Sequence, residues 1–364
     1  MSTDARVPRV RQTGLSLIEV LVGIAVGMIG ILVIFQTMAV WDKHARTTTS
    51  GGDARTAGTL AIFNLERDLK LAGMGFGTAA SGVMGCDVVV RGGMFTVPLS
   101  PVIITTAASG PDKIDVLHGN SAFFVTEERF VESTQFTKKL KRRGGFKAGD
   151  LAVVAGSPPA SGPTPCHLIQ VTDVSNSDGV TLVHNPGDFT SSYTNAAASA
   201  VFNPAGGTGA TFTTGTMYNL GPLPQRNRWE VVNSSLVNTD VIHSALPFQT
   251  SEGVIDLKAE YGVDGNGDMR ITDVSPDEWT TTAPTDWTQV LAIRIAILVR
   301  SRQYEKDFDT SAAAPTWFGN TFTMRNVDGT TDTNPSNSPN NWRAYRYRVY
   351  ERVVPLRNMI WGTS

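Results

Sequence analysis

The chain has 364 residues and a formal net charge of -2. Its length allows one large domain or two modest ones with a substantial core. The near-neutral charge argues against a protein that coats nucleic acid, because such proteins neutralise phosphates with clustered Lys and Arg. The 35 glycines and 19 prolines, with long Thr/Ser/Asn stretches, predict a β-rich, loop-rich body outside the cytoplasm.

The first predicted element is an apolar segment from Leu15 to Val40, interrupted only by Glu19 and three uncharged polar residues. As a helix rising about 1.5 Å per residue it would span about 39 Å, which exceeds a hydrocarbon core of about 30 Å. Residues 15–40 are therefore predicted to form a transmembrane helix. Three arginines against one aspartate precede the segment, so we expect the N-terminus to stay in the cytoplasm and the body to be translocated.

Glu19 distinguishes this segment from an ordinary secretory signal peptide. A signal peptide has an apolar stretch of about 7–15 residues, followed by cleavage at small residues on the far side. Here the stretch is longer and no such site follows it. An acidic side chain inside a membrane helix costs roughly 2.5–3.5 kcal/mol on insertion scales, so its presence indicates a function and a partner.

The residues from Gly14 to Val20 (GLSLIEV) resemble the prepilin signature. The resemblance implies that residues 1–14 are a leader, that a prepilin peptidase cleaves between Gly14 and Leu15 on the cytoplasmic side, and that Leu15 is then N-methylated. It also implies that the Glu19 carboxylate pairs with an N-terminal amine, commonly a neighbour's, during assembly. Leu15 departs mildly from the family, which usually has Phe at this position.

Residues 41–73 are predicted to extend the helix. The polar stretch 44–52 either continues the helix or loosens it, and apolar residues then recur every four positions, as in a helix laid on a globular core. Glycines at 73, 75 and 77 end the pattern. In the apolar segment itself, Gly23, Gly27 and Gly30 are either tolerated membrane-helix glycines or points of close helix packing.

Residues 74–364 are predicted to form a β-rich body, because short β-branched and aromatic runs alternate with Gly, Pro, Asn and Asp. Two polar stretches, 187–215 and 306–341, are predicted to be long surface loops. The predicted strands are 87–90, 102–105, 113–117, 123–125, 151–154, 168–174, 180–183, 228–233, 254–263, 290–301 and 343–355.

The two cysteines, Cys86 and Cys166, either form one disulfide or remain two buried thiols. A bridge would close a loop of about 80 residues and contribute roughly 4–5 kcal/mol in the chain-entropy model. Because the body is expected outside the cytoplasm, where disulfides persist, the bridge is the favoured alternative.

Several later segments resemble the PilW group of minor pilins. Together with the N-terminal signature they extend the resemblance over nearly the whole chain, although each is less specific than that signature. The segments are Leu65–Gly73, Gly149–Val154, Cys166–Thr172, Tyr261–Asp264, Val290–Ser301 and Val353–Asn358.

No enzyme is predicted, because none of the five histidines has a metal-binding spacing and the chain has no nucleophile elbow or Walker loop. A basic cluster, Lys138–Arg143 with Phe136 and Phe146 beside it, is either a solvated hairpin edge or a contact for an acidic partner or DNA. We expect no specific nucleic acid as a partner.

The segment 264–273 is the candidate ion site. Asp264, Asn266 and Asp268 have the spacing of a calcium loop, in which alternate oxygens converge on one cation. The backbone carbonyl of Arg270 and the Asp273 carboxylate would complete the set. The match is partial, because Met269 replaces the usual glycine, so the alternatives are a calcium site and a plain polar turn.

These patterns predict an α+β chain with a type IV pilin-like fold, whose helix packs on an antiparallel body. The resemblance implies a minor pilin that primes type IV pilus assembly and sits in a tip complex, supporting adhesion and twitching motility. Implied partners are the inner membrane, other minor pilins, the major pilin, a large tip adhesin and the prepilin peptidase. The implied location is the inner membrane with a periplasmic body, and then the pilus. The alternatives are a minor pseudopilin of type II secretion and a membrane-tethered adhesin or DNA-uptake receptor.

Overall fold

The computed structural model describes residues 14–91, 93–121, 127–142, 144–157, 166–175, 177–208, 213–272, 278–305, 313–330 and 338–362. The chain divides into two compact units, Met1–Gly52 and Asp53–Ser364. In the first unit, the described residues from Leu17 onward are helical and almost all exposed. The second unit contains the remaining helical turns and all strands.

The described residues include two α-helices, α1 (Leu17–Leu69) and α2 (Arg357–Gly362). The polar stretch 44–52 is helical within α1, so this stretch continues the helix. Tight turns follow α1, with Gly73 at φ 79° and Gly75 at φ 94°, which are conformations that glycine adopts without a steric penalty. The predicted termination by these glycines therefore agrees with the structure to within one helical turn.

The body is built from short strands, most of them bounded by glycine, proline or asparagine turns. In chain order they are β1 (Asp87–Val90), β2 (Phe95–Pro98), β3 (Val102–Thr105), β4 (Lys113–His118), β5 (Glu128–Ser133), β6 (Thr137–Leu140), β7 (Leu151–Gly156), β8 (Cys166–Gln170), β9 (Asp173–Val174), β10 (Thr181–Val183), β11 (Asp188–Thr190), β12 (Ala197–Ser199), β13 (Gly215–Gly221), β14 (Gln225–Val232), β15 (Ser235–Asp240), β16 (Phe248–Glu252), β17 (Val254–Val263), β18 (Trp279–Thr280), β19 (Val290–Arg300), β20 (Thr316–Trp317), β21 (Asn320–Thr321) and β22 (Tyr347–Pro355).

Three main sheets result. The nine-stranded sheet has the order β2-β1-β8-β7-β13-β5-β6-β10-β9, the five-stranded sheet β16-β15-β14-β4-β3, and the C-terminal sheet β18-β17-β19-β22. Pairing among the described strands is antiparallel except between β1 and β8. The α+β prediction, with a long apolar N-terminal helix and a mostly antiparallel body, is confirmed.

One face of α1 is buried in the largest hydrophobic cluster. Ala61, Leu65 and Leu69 are 0% exposed, and they pack in one cluster with apolar residues of all three main sheets. A fully buried leucine contributes about 1.5–3 kcal/mol relative to an exposed one, so this stripe fixes the helix on the body. These side chains share one face because apolar residues recur every four positions, as the sequence predicts.

A buried carboxylate lies within the same helical face. Asp68 accepts hydrogen bonds from Trp229 Nε1 (2.6 Å) and Asn227 Nδ2 (2.9 Å), and its Oδ1 lies 3.2 Å from His118 Nε2. These partners stand on β14 and at the end of β4, so Asp68 ties the helix to the five-stranded sheet. An unpartnered carboxylate would be costly here, and these donors compensate its burial.

The outer face of the C-terminal sheet is also covered. Trp317 of β20 and Phe322, which follows β21 of the same short hairpin, pack on Ala296 and Leu298 of β19. Arg294 stacks its guanidinium 4.9 Å from the Trp279 ring and pairs with Glu260, both within this sheet. Part of the segment predicted as a surface loop at 306–341 is therefore packed cover for a sheet.

Most predicted strands appear at or near their predicted bounds. The run 123–125 lies outside the described residues. The stretch 187–215 contains the hairpin β11–β12, which residue pattern alone does not reveal because its strands are rich in Ala, Ser and Thr.

The C-terminal helix α2 docks against the turns after α1. Asn358 Nδ2 donates to the carbonyls of Leu71 (3.2 Å) and Ala72 (3.0 Å), which closes the end of the helical region. The approach requires glycine, since a Cβ at Gly77 would stand 2.4 Å from the Asn358 carbonyl oxygen.

Gly77→Ala should therefore destabilise the chain by about 1–3 kcal/mol, because the clash is with backbone that has no room to move. Urea unfolding measures the change. Gly206→Ala is the matched control, since a Cβ there meets nothing within 4 Å. Equal stability of the two variants would show that α2 adjusts freely and that the close approach carries no constraint.

Candidate assembly site

The N-terminal residues that the sequence identifies lie at the start of α1. Gly14, Leu15 and Ser16 precede the helix, which begins at Leu17. Ser16 caps it: its carbonyl accepts from Glu19 N (3.0 Å) and Val20 N (3.2 Å), and its hydroxyl oxygen accepts from Glu19 N (3.3 Å). The peptide bond between Gly14 and Leu15 thus lies outside the helix, in backbone that can adopt an extended form.

The apolar surface of α1 is exposed along the N-terminal segment. The most apolar window of the helix has 0% of its residues buried, and the helix is long and apolar enough to cross a membrane. The Thr37 hydroxyl donates to the Ile34 carbonyl of the same helix at 2.8 Å. Glu19 is the one ionisable residue between Leu15 and Val40. Water is a poor environment for such a surface, so lipid or other apolar helices must cover it.

The second half of α1 is held by the C-terminal sheet and by β16 of the five-stranded sheet. The Tyr350 ring lies against Gly58, where a Cβ would stand only 2.0 Å from the ring. The Tyr350 hydroxyl donates to the Arg55 carbonyl at 3.0 Å. On another strand, the Ser251 hydroxyl donates to the Ala57 carbonyl at 2.7 Å. Sequence reasoning missed these contacts, because a lone glycine in a helix does not reveal which ring lies on it.

Two large apolar side chains of this half remain exposed. Leu60 is 47% exposed and Phe63 is 58% exposed, whereas their neighbours Ala61 and Ile62 are buried. The helix thus has one face seated on the body and an apolar face directed away from it.

The cysteines form a disulfide, with the Cα atoms of Cys86 and Cys166 6.1 Å apart. The bridge lies beside the parallel pairing of β1 and β8, where Val88 is opposite Cys166. It joins two strands that are distant in sequence, in keeping with an oxidising compartment.

Two cations of the basic cluster form ion pairs. Lys139 Nζ lies 3.3 Å from a Glu132 carboxylate oxygen, and Arg142 Nε lies 3.0 Å from Glu128. Both acidic partners belong to β5, a strand that the sequence pattern missed. Arg143 lies outside the described residues. The paired charges weaken the interpretation of this hairpin as a DNA contact, since phosphate binding needs unpaired cations.

Lys138, from the same cluster, is fully buried. Its ammonium donates to the Thr134 carbonyl (3.1 Å) and the Thr208 hydroxyl (3.2 Å), and it lies 3.2 Å from His184 Nε2. Burial lowers the pKa of Lys138 to about 8, and burial beside this cation lowers the pKa of His184 to about 3. His184 is therefore neutral near pH 7 and can accept the hydrogen bond.

The candidate calcium loop is closed by its own carboxylates. Asp264 Oδ1 accepts from Gly267 N (2.7 Å) and Asp268 N (3.1 Å), and its Oδ2 accepts from Met269 N (2.8 Å). Asn266 Oδ1 accepts from Asp268 N at 2.8 Å. These bonds are those of a polar turn. Among the described residues no group of three or more His, Cys, Asp or Glu could hold a metal ion. Asp273 lies outside the described residues, so calcium remains a prediction.

Lys138→Met should stabilise the chain by about 1–3 kcal/mol at pH 7, because it removes a desolvated charge. The folded-state pKa lies below the unfolded value of 10.5. Wild-type stability therefore rises between pH 8 and 10.5, and the advantage of the variant shrinks over that range. Urea unfolding at pH 7 and pH 10 measures this change, with exposed Lys141→Met as the control. An advantage independent of pH would contradict the explanation.

Calcium should raise the melting temperature of the full chain in detergent, if oxygens of Asp264, Asn266 and Asp268 converge on the ion together with Asp273 and the Arg270 carbonyl. Differential scanning fluorimetry with calcium and with chelator measures the shift. Asp268→Ala is the test variant, and Asp188→Ala, an exposed aspartate on β11, is the control. An unchanged melting curve with and without chelator would favour the plain turn.

Comparison with known proteins gives one match. Residues 242–358 match the family model of Type IV Pilus-assembly protein W, PilW. No curated protein and no solved structure matches the chain. The matched range contains β16 to β22, including Ser251 and Tyr350, which hold α1 through its backbone carbonyls. Three of the six PilW-like segments named above lie inside this range and three lie before it. The predicted resemblance to PilW, the type IV pilus-assembly protein W family, is thus confirmed for residues 242–358.

Proposed function

We propose that the chain is a minor pilin that primes type IV pilus assembly and sits in a complex at the filament tip, where it supports adhesion and twitching motility. The PilW match carries the proposal, because the matched residues build the C-terminal sheet, which shares a hydrophobic cluster with the second half of α1, and because they supply Ser251 and Tyr350, which bond its backbone. The N-terminal signature supports it independently, since it lies far outside the matched range.

The proposed processing begins at Gly14. A prepilin peptidase removes residues 1–14, and Leu15 becomes the N-methylated first residue. The start of α1 at Leu17 supports this step, because a protease needs extended backbone at the bond that it cleaves. The apolar segment 15–40 then anchors the protein in the inner membrane, with the body in the periplasm.

Assembly would exchange lipid for protein contacts around the apolar segment. Helices of other minor pilins and of the major pilin would cover it, and exposed Leu60 and Phe63 would extend the contact onto the second half of α1. The Glu19 carboxylate would pair with an N-terminal amine, which compensates a charge that is otherwise costly in this setting. A large tip adhesin would be the further partner.

Glu19→Ala should reduce incorporation into filaments by about tenfold or more, which corresponds to about 1.4 kcal/mol of lost pairing. Leader cleavage should stay largely intact, because Gly14 and Leu15 are unchanged. Immunoblotting of sheared filaments measures incorporation, and the size of the cellular protein measures cleavage.

Gln36→Ala is the matched control, since it removes another polar side chain from the same apolar segment. Filaments that contain the Glu19 variant at the wild-type level would refute the pairing role. Copurification distinguishes a type IV pilus from a type II secretion system. Copurifying pilus adhesin and alignment proteins would support the proposal, whereas secretion-channel partners would support a minor pseudopilin.

A further inference from the structure

A polar cleft of about 590 Å³ opens on the nine-stranded sheet. Three parts of the chain line it: Gly144–Ala148 after β6, the residues 173–175 and 177–179 of β9 and the turn after it, and Ser192 after β11. Its base includes Phe146 and Val174, which belong to the second hydrophobic cluster of the body or pack against it. The cleft thus lies where loops meet over a packed core.

A buried carboxylate holds two of these parts of the chain together. Asp150 is 0% exposed, and it accepts from Lys147 N (2.8 Å), the Tyr193 hydroxyl (2.5 Å) and Asn219 Nδ2 (3.0 Å). In addition, Ser192 N donates to the Ala148 carbonyl at 2.9 Å. Burial and the bond to Asp150 raise the pKa of Tyr193, so its hydroxyl remains a donor. The geometry around Lys147 and Ser192 is therefore preorganised.

The lining offers both donors and acceptors. The Ser192 hydroxyl can donate and accept, and the Lys147 ammonium is a donor. The Ser175 and Ser177 hydroxyls bond to each other at 2.8 Å, which leaves one hydroxyl hydrogen and acceptor lone pairs on both oxygens. Asp173 and Asp178 supply carboxylate acceptors. Such a mixture suits a ligand whose own groups both donate and accept.

The charges of the described lining residues disfavour an anion. Among these described residues two carboxylates stand against one ammonium. Hydrogen bonds from the Thr181 hydroxyl and from the Val180 and Thr181 amides lower the pKa of Asp178 to about 2, so this group is negative at neutral pH. A phosphate or an acidic sugar would meet net repulsion.

The apolar surface of the lining comes from Phe146 and Val174. The C–H face of a sugar can pack on such a surface. Tyr193 follows Ser192 directly but lies outside the lining, with its hydroxyl bound to Asp150 and Lys147 Nζ 5.7 Å from its ring centroid.

We propose that this cleft binds a neutral carbohydrate of one or two sugar units. Its volume lies in the range of about 300–1,000 Å³ that small-molecule sites occupy. The inference is independent of the proposed assembly role, because no lining residue belongs to α1 or to the PilW-matched range. It assigns a ligand-binding surface to a part of the body for which the sequence predicts no site.

Saturation-transfer NMR on the full chain tests the proposal, in a detergent without a sugar headgroup. The probes are glucose, galactose, mannose and N-acetylglucosamine, with glucuronate as the anionic comparison. We expect transfer to at least one neutral sugar and weaker transfer to glucuronate. Ser192→Trp should fill the cleft and weaken binding by about tenfold or more. Thr194→Trp, in the same exposed turn but outside the lining, should bind as wild type does.

Ser177→Trp serves as a second filling variant if Ser192→Trp does not fold, as judged by its melting temperature. Absence of transfer to every neutral sugar overturns the proposal. So does a preference for glucuronate, or transfer that both filled variants retain. Loss of binding without loss of filament incorporation would separate this site from the assembly role.

Discussion

The seating of one helical face determines much of this structure. Ala61, Leu65 and Leu69 leave no exposed surface, and they face strands from three sheets at once. Removal of this much apolar surface from water is the dominant favourable contribution to folding. Asp68 lies in the same face, and its donors on β4 and β14 allow one carboxylate to be buried there. The stripe supplies stability, and the carboxylate adds directional contacts.

The C-terminal sheet illustrates how a sheet can be buried on both faces. Nearly every residue of β19 is buried, a pattern that differs from the in-out alternation of a half-exposed strand. Helix α1 lies on one side, and the Trp317–Phe322 hairpin covers the other. The PilW match includes both this sheet and its cover. It also includes β16, the edge strand of the five-stranded sheet.

Sequence patterns predicted those elements whose residues all favour the same structure. The run Val290–Ser301 is long and β-branched, and β19 occupies Val290–Arg300. In contrast, β13 (GTMYNLG) is central and buried, yet its glycines, asparagine and methionine are poor strand formers. Tertiary pairing with β5 and β7 overrides that preference. Strands β5 and β6 were missed because their charged residues suggest a loop, although the charges pair across the two strands.

In the candidate site, too, the sequence predicts local features but not contacts between distant residues. Gly14, Leu15 and Glu19 are identified by a local pattern, whereas the contacts of Gly58 with Tyr350 and of Lys138 with His184 join residues that are far apart in sequence. A basic run in the sequence suggested a cationic surface. Lys138 instead points inward, because side chains on a strand alternate between the two faces.

The cap formed by Ser16 has an electrostatic consequence. Backbone dipoles of an α-helix add up to about half a positive charge at its N-terminus. Cleavage after Gly14 would create a new amine two residues before that end, so the helix itself would repel the amine and attract the nearby Glu19 carboxylate. In each subunit the positive end of the helix would stabilise the Glu19 carboxylate. The same end would destabilise the subunit's own charged amine. In the proposed filament, the amine of one subunit would therefore pair with the Glu19 carboxylate of another. Such head-to-tail pairing would define a direction of growth.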